Sequence, residues 1–235
     1  MTNTIRAAAF AAAALLGAHA AAAQDQPVMS LAPAEPARWD LAGHVGWLGS
    51  NKSDIGADWN DWYNTASGGV TAGYYFTPHV KAEVTTAMSR QGRIYSQESI
   101  PVPGAAFPIF RSREHFFAAT TFGAGVSYQF FENQWFHPFV GGGLETVRET
   151  HRIDTPQQLI PGRPNPATPL VPVPTQILPA TTGTTDVSWA ARPYIATGFK
   201  WYVAERGFVR SELRSSFSNR GPEHVVWSAG VGVDF

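Results

Sequence analysis

The 235-residue chain contains no cysteine, which excludes a disulfide framework, a thiolate metal site and a cysteine nucleophile. Beyond its N-terminal stretch it has no apolar run of about 18 residues, so the rest of the chain offers no membrane-spanning helix. Charge of one sign is also missing. Seventeen Lys+Arg against 18 Asp+Glu leave a formal net charge of −1 and give no reason to propose nucleic acid as a partner. The seven histidines are scattered, without a His-Glu-x-x-His spacing, so no metal site and no cofactor is expected. Gly123-x-Gly125 precedes no helical pattern and lacks the third glycine of a dinucleotide fingerprint, which makes it a packing device in a strand. Asp54, Asp58 and Asp61 do not have the spacing of an EF-hand and read as solvated surface.

What is present begins with residues 1–23: Arg6, an apolar run from Ala7 to Leu16, then small residues up to Ala23. That is the layout of a secretory signal peptide, too short and too rich in alanine to span a bilayer. Residues 24–37, with Pro and Ala, read as a disordered periplasmic leader. The remainder, residues 38–235, is a single β domain. In Val225 to Phe235, Val225, Trp227, Ala229, Val231, Val233 and Phe235 fall on one side of a strand, and mostly small or polar residues on the other. Eight such amphipathic runs lie at about 38–48, 67–76, 79–92, 113–130, 135–152, 186–203, 207–218 and 223–235. Tight connections at Thr77-Pro78, Phe131 to Gln134 and Ala204 to Arg206 alternate with long ones at 49–66, 93–112 and 153–185. Only Asn219 to Pro222 departs from that rhythm. An even strand count with alternating short and long connections predicts an all-β fold, an eight-stranded antiparallel up-and-down transmembrane β-barrel.

Alternation alone does not say which face is inside, because a soluble lipocalin-like binder would turn the apolar face inward. Three asymmetries favour the membrane reading. Bulky aromatics stand near strand ends on the apolar face: Trp39 and Trp47, Trp189 and Trp201, Trp227 and Phe235. Eight residues of strand leaning about 40° cover roughly 20 Å, close to the ~25 Å band between aromatic girdles. The polar face mixes charges with glycines such as Gly73, Gly123 and Gly143, which leave room for long side chains in a narrow barrel. Finally, the closing strand ends on an aromatic residue, where a lipocalin would usually continue into a helix.

These features, with segments such as Gly69 to Phe76 and Pro138 to Leu144, resemble the small outer-membrane β-barrel proteins that include the barrel domain of outer membrane protein A and outer membrane protein X. The resemblance implies the cell outer membrane of a double-membraned bacterium as location and insertion by the barrel assembly machinery. It also implies a lumen plugged by side chains. The surroundings of such a protein are outer-membrane lipid and lipopolysaccharide.

Inward charges invite a reading as a pore. An eight-stranded barrel is just wide enough for its own side chains, and buried charges persist when paired. Lys81, Glu83, Glu145, Arg192, Arg210, Glu212 and Arg214 are therefore expected to form a structural network. Some outer-membrane barrels hydrolyse lipids with a His-x-Ser-Asn element. Here Ser218-Asn219 is preceded by Ser216 where that His would stand, so the pair reads as a turn and no catalytic residue is assigned. The third long connection carries eight prolines between 156 and 179 and almost no charge, which predicts an extended, polyproline-like segment, a spacer in preference to a protein-binding arm. Asn51 to Tyr63 combines acids with Trp59, Trp62 and Tyr63, a set suited to rim packing. The expected role is structural or adhesin-like, non-enzymatic, with the outer loops available to an extracellular protein. A small channel is the alternative; a lipid hydrolase and a soluble binder are further ones.

Overall fold

A computed structural model describes residues 38–52, 62–100, 109–130, 135–160 and 176–235. The expected signal peptide and leader, the centres of the three long connections and the turn at 131–134 lie outside the described residues.

Alternating side chains build eleven strands: β1 (Trp39–Asn51), β2 (Trp62–Tyr75), β3 (Val80–Ser89), β4 (Gly92–Ile100), β5 (Ile109–Gln129), β6 (Phe136–Thr155), β7 (Gln158–Ile160), β8 (Gln176–Leu178), β9 (Thr181–Tyr202), β10 (Gly207–Ser218) and β11 (Gly221–Asp234). Eight of them, β1, β2, β3, β5, β6, β9, β10 and β11, close an antiparallel ring through the β1–β11 and β3–β5 pairings. Following paired residues once round the ring from Asp40 leads through Gly73, Glu83, Gly125, Gly143, Tyr194, Ser216 and His224 back to β1 at Ser50. That stagger of ten residues over eight strands about 4.8 Å apart, with a rise of about 3.3 Å per residue, sets a strand tilt near 40°.

One end of the ring has short connections. Between β2 and β3, Thr77 Oγ1 accepts the backbone N–H groups of His79 and Val80 at 3.3 and 3.0 Å. Between β9 and β10, the Val203 N–H donates to the Gly207 carbonyl at 3.0 Å. At the other end β5, β6 and β9, with 21, 20 and 22 residues, run past the ring. Short periplasmic turns and long external connections assign the second end to the outside.

One expectation changes here. The segment 93–112 is largely strand: β4 continues β3 along the outer half of β5. Between the pairs Met88–Thr120 and Gly92–Phe117 one chain advances four residues and the other three, a β-bulge at the Arg90-Gln91 break. Of the segment 153–185, whose centre with six of the eight prolines lies outside the described residues, the two ends are strand. β6 reaches Thr155, β9 begins at Thr181, and β7 pairs with β8 as a two-stranded ribbon.

The two faces are unambiguous. Val45 is 71% exposed and Leu144 65%, whereas Lys81 and Lys200 are 2% and 1% exposed. Apolar side chains point out of the ring and charges into it, the inverse of a soluble lipocalin-like barrel. The apolar belt has aromatic edges. At the short-turn end, Trp39 exchanges backbone hydrogen bonds with Phe235 at 2.9 to 3.0 Å and packs on Tyr74. Trp201, Phe130, Trp135 and Phe136 are exposed at the same end. Toward the outside, Trp47 faces Trp227 across the β1–β11 ladder, and Trp189 is exposed on β9.

Candidate functional site

The lumen is crossed by charged side chains in a defined order. Near the short-turn end, Lys200 on β9 reaches Asp234 at 2.6 Å and Asp40 at 3.3 Å. Asp40 also holds Lys81 at 2.8 Å, and Lys81 pairs with Glu83 at 2.5 Å. Glu83 receives both terminal nitrogens of Arg210, at 2.7 and 2.9 Å, a bidentate fork from the opposite side of the ring. Arg210 binds Glu212 at 2.5 Å, and Glu212 binds Arg214 at 2.8 Å.

The result is one chain of alternating sign, Asp234–Lys200–Asp40–Lys81–Glu83–Arg210–Glu212–Arg214, with four acids and four bases. Its formal charge cancels, which is the condition under which burial of so many ions is tolerable. Aromatic rings and hydroxyls occupy what the ions leave. Lys200 lies 3.8 Å from the Phe208 ring centre, Arg210 4.5 Å from Phe139, and Arg214 4.4 Å from Tyr194. The Tyr75 hydroxyl donates to Asp40 at 3.1 Å and receives Gln129 at 3.0 Å. Gly73 makes room for this cluster, since a Cβ there would stand 2.3 Å from the Asp40 carboxylate.

Five of the seven residues expected in a network therefore touch one another: Lys81, Glu83, Arg210, Glu212 and Arg214. Arg192 and Glu145 are in direct register between β6 and β9, yet Arg192 does not join that chain. Its guanidinium turns to β11, where it pairs with Glu223 and lies 3.0 Å from His224 Nε2. Glu145, 4% exposed, makes no ion pair among the described residues and borders a cavity of about 40 Å³ with His44, Arg214 and His224. A space of that size holds a few water molecules. Asp40, Lys200 and Asp234 are further members of the chain that the expected network did not include. Ring closure brings Asp40 and Asp234 side by side.

Outside the ring a second assembly caps the mouth. Lys52 pairs with the buried Glu149 and lies 4.9 Å from the Phe117 ring centre. Phe117 stacks on Tyr63 and, at 4.3 Å, on His151. His151 Nε2 is 3.1 Å from His115 Nδ1, whose Nε2 is 2.7 Å from Ser96 Oγ. Burial, with the neighbouring His151 and Arg113, holds the His115 imidazole below its ordinary pKa. This row depends on β4, which the sequence reading did not foresee. Ser218 Oγ accepts the Arg220 N–H at 3.2 Å in the β10–β11 turn, while His224 points into the lumen on Arg192.

The family described as the outer membrane protein beta-barrel domain matches residues 8–235. Among solved structures, the N-terminal barrel domain of OprF from Pseudomonas aeruginosa is similar at 13% identity and a TM-score of 0.48, covering 85% of this chain and 98% of that one. Neisserial surface protein A is similar at 13% and 0.49, covering 84% and 97%. The outer membrane protease OmpT from Escherichia coli is similar at 9% and 0.43, covering 86% and 98%. No curated protein matches.

Proposed function

Since the chain belongs to the outer membrane protein β-barrel family, and so lies in the outer membrane, we propose that it is a sealed, non-catalytic barrel with a structural and surface-interaction role. One observation carries this reading: the neutral, alternating eight-charge chain that links β1, β3, β9, β10 and β11 across the lumen. Each ion in it is held by a partner of opposite sign, so a permeating ion would have to displace a paired charge in a narrow interior. The long outer halves of β5, β6 and β9, with β4 and the β7–β8 ribbon, form the platform on which an extracellular protein would be met. Insertion proceeds through the barrel assembly machinery. Liposome swelling with small sugars tests the seal, run on protein whose gel mobility shifts on heating. Wild-type liposomes should swell no faster than empty ones; swelling that depends on sugar size would establish a pore instead.

A second reading has a specific observation behind it. A hydroxyl, an imidazole and a third group in a hydrogen-bonded row are the parts of an activated nucleophile, and Ser96, His115 and His151 stand in that order. Ser96 is 8% and His115 5% exposed, which favours a buried polar cap over a site that admits substrate. Labelling of the wild type, and not of Ser96→Ala, by a fluorophosphonate would establish the hydrolytic reading.

A further inference from the structure

Among the described residues six carboxylates are buried, and five of them touch a cation: Asp40, Glu83, Glu149, Glu212 and Asp234. Glu145, 4% exposed, has no such partner. We propose that Glu145 and the cavity it borders bind one monovalent alkali cation, taken up from the outer side of the barrel. The site lies at the outer end of the eight-charge chain, next to Arg214, and adds a ligand to the lumen without requiring any ion to cross it.

Charge is the first argument. With histidines neutral, the eight-member chain cancels, and so do the pairs Lys52–Glu149 and Arg192–Glu223. Glu145 leaves the lumen one negative charge in excess. Arg192 stands beside it in the β6–β9 register but is turned to Glu223 and His224. Arg214 is near as well: its Nη1 and the Glu145 Cβ lie 3.2 and 3.7 Å from where a Cβ on Gly123 would stand. The Arg214 Nε and Nη2, however, are taken by Glu212 at 2.9 and 2.8 Å. An uncompensated buried carboxylate is costly. One positive charge restores neutrality, which a monovalent ion supplies; a divalent ion would leave the reverse excess.

Space and donor chemistry are the second argument. Besides Glu145, the cavity of about 40 Å³ is lined by the hydroxyl-bearing Thr71, Thr85, Thr121 and Ser228. Carboxylate and hydroxyl oxygens suit a hard cation. Among the described residues no three His, Asp or Glu side chains come together as a transition-metal site requires. Room for a few water molecules lets an alkali ion keep part of its hydration shell. Gly123 helps to keep that room, since it adds no side chain between Arg214 and Glu145. The way in is from outside. Glu223 lines a pocket of about 270 Å³ at the β10–β11 turn, and the next residue, His224, lines the cavity. The Arg192–Glu223 pair stands at the junction of the two spaces, whereas the whole eight-charge chain closes the inner side.

The test uses the refolded full barrel in phosphatidylcholine bilayers, with folding checked by heat-modifiable mobility. Urea unfolding is followed in sodium, potassium and N-methylglucamine chloride at equal ionic strength and pH. N-methylglucamine carries the same charge and is too large for the cavity. An ion that binds only the folded barrel raises the folding equilibrium constant about tenfold for each tenfold rise in its concentration above its dissociation constant. Wild type should show that dependence on sodium or potassium and none on N-methylglucamine. Glu145→Gln keeps the length of the side chain and removes its charge. It should fold, lose the dependence, and be at least as stable as wild type in N-methylglucamine. Wild-type stability that is the same in all three salts would overturn the site, the carboxyl then carrying a proton, and that arm needs no variant. So would a Glu145→Gln barrel weaker than wild type by one margin in every salt, the mark of a purely structural carboxylate, or one that keeps the sodium dependence. Swelling of wild-type liposomes would instead strike at the sealed-lumen reading and leave this site standing.

Discussion

Glu212 shows what each buried ion contributes. It accepts from Arg210 at 2.5 Å and from Arg214 Nε at 2.9 Å, so Glu212→Ala leaves two guanidinium groups short of a partner inside the ring. Breaking a buried pair by removing one member costs about 3–5 kcal/mol. Urea unfolding in lipid bilayers should show an unfolding free energy lower by that order, and an unchanged value would mean that water replaces the carboxylate at no cost. Gly73 tests the same cluster by volume. Gly73→Val places its methyl groups against Asp40 and Lys81, and overpacking a filled interior typically costs about 1–3 kcal/mol. Here the loss should exceed that of Gly43→Val, where a Cβ meets nothing within 4 Å. Inward position was legible in the sequence for every residue expected in the network, because period two assigns a face. Partner choice was not. Arg192 and Glu145 are neighbours in register, and the reach of a long side chain toward another strand decides what the arginine binds.

At the level of elements, the eight ring strands were legible because large apolar and polar residues separate cleanly along them. β4 was hidden by the bulge. In β3 the inward residues are Lys81, Glu83 and Thr85, odd positions, whereas in β4 they are Gly92, Ile94 and Ser96, even positions. One inserted residue reverses the alternation and makes a continuing strand read as a loop. The native chain has no cysteine, so single introduced cysteines report each face cleanly. Cysteine at position 95 or 97 should react with a water-soluble maleimide much faster than at 94 or 96. Equal rates at all four would mean the segment is the loop that the sequence suggested.

The β4–β5 extension also carries a pH dependence. Burial, His151 and Arg113 depress the His115 pKa below 6.5, so the folded extension holds a neutral imidazole between Ser96 and His151. An unfolded extension takes up a proton at higher pH than the folded one does. Its stability is therefore complete above about 6.5 and falls as the pH drops from there through the folded pKa. Protection factors of the Ile94 to Ser96 amides, which correct for the intrinsic pH dependence of exchange, should fall between pH 7.5 and 5.5 while those of the β1 ring amides do not change. Unchanged protection of β4 over that range would remove His115 from the account.

Across the whole molecule, a belt of exposed apolar residues surrounds an interior filled with paired charges, an arrangement that a bilayer requires and water would reverse. The family match and the ring agree on an outer-membrane barrel. The sealed lumen is the claim that gives the molecule its function, since it turns attention from transport to the outer platform. Single-channel recording of the refolded barrel in planar bilayers tests that claim most directly. The account predicts a folded, heat-modifiable barrel with no stable openings. Discrete, reproducible conductance steps from the same preparation would contradict it and make Glu83, Arg210 and Glu212 the lining of a pore.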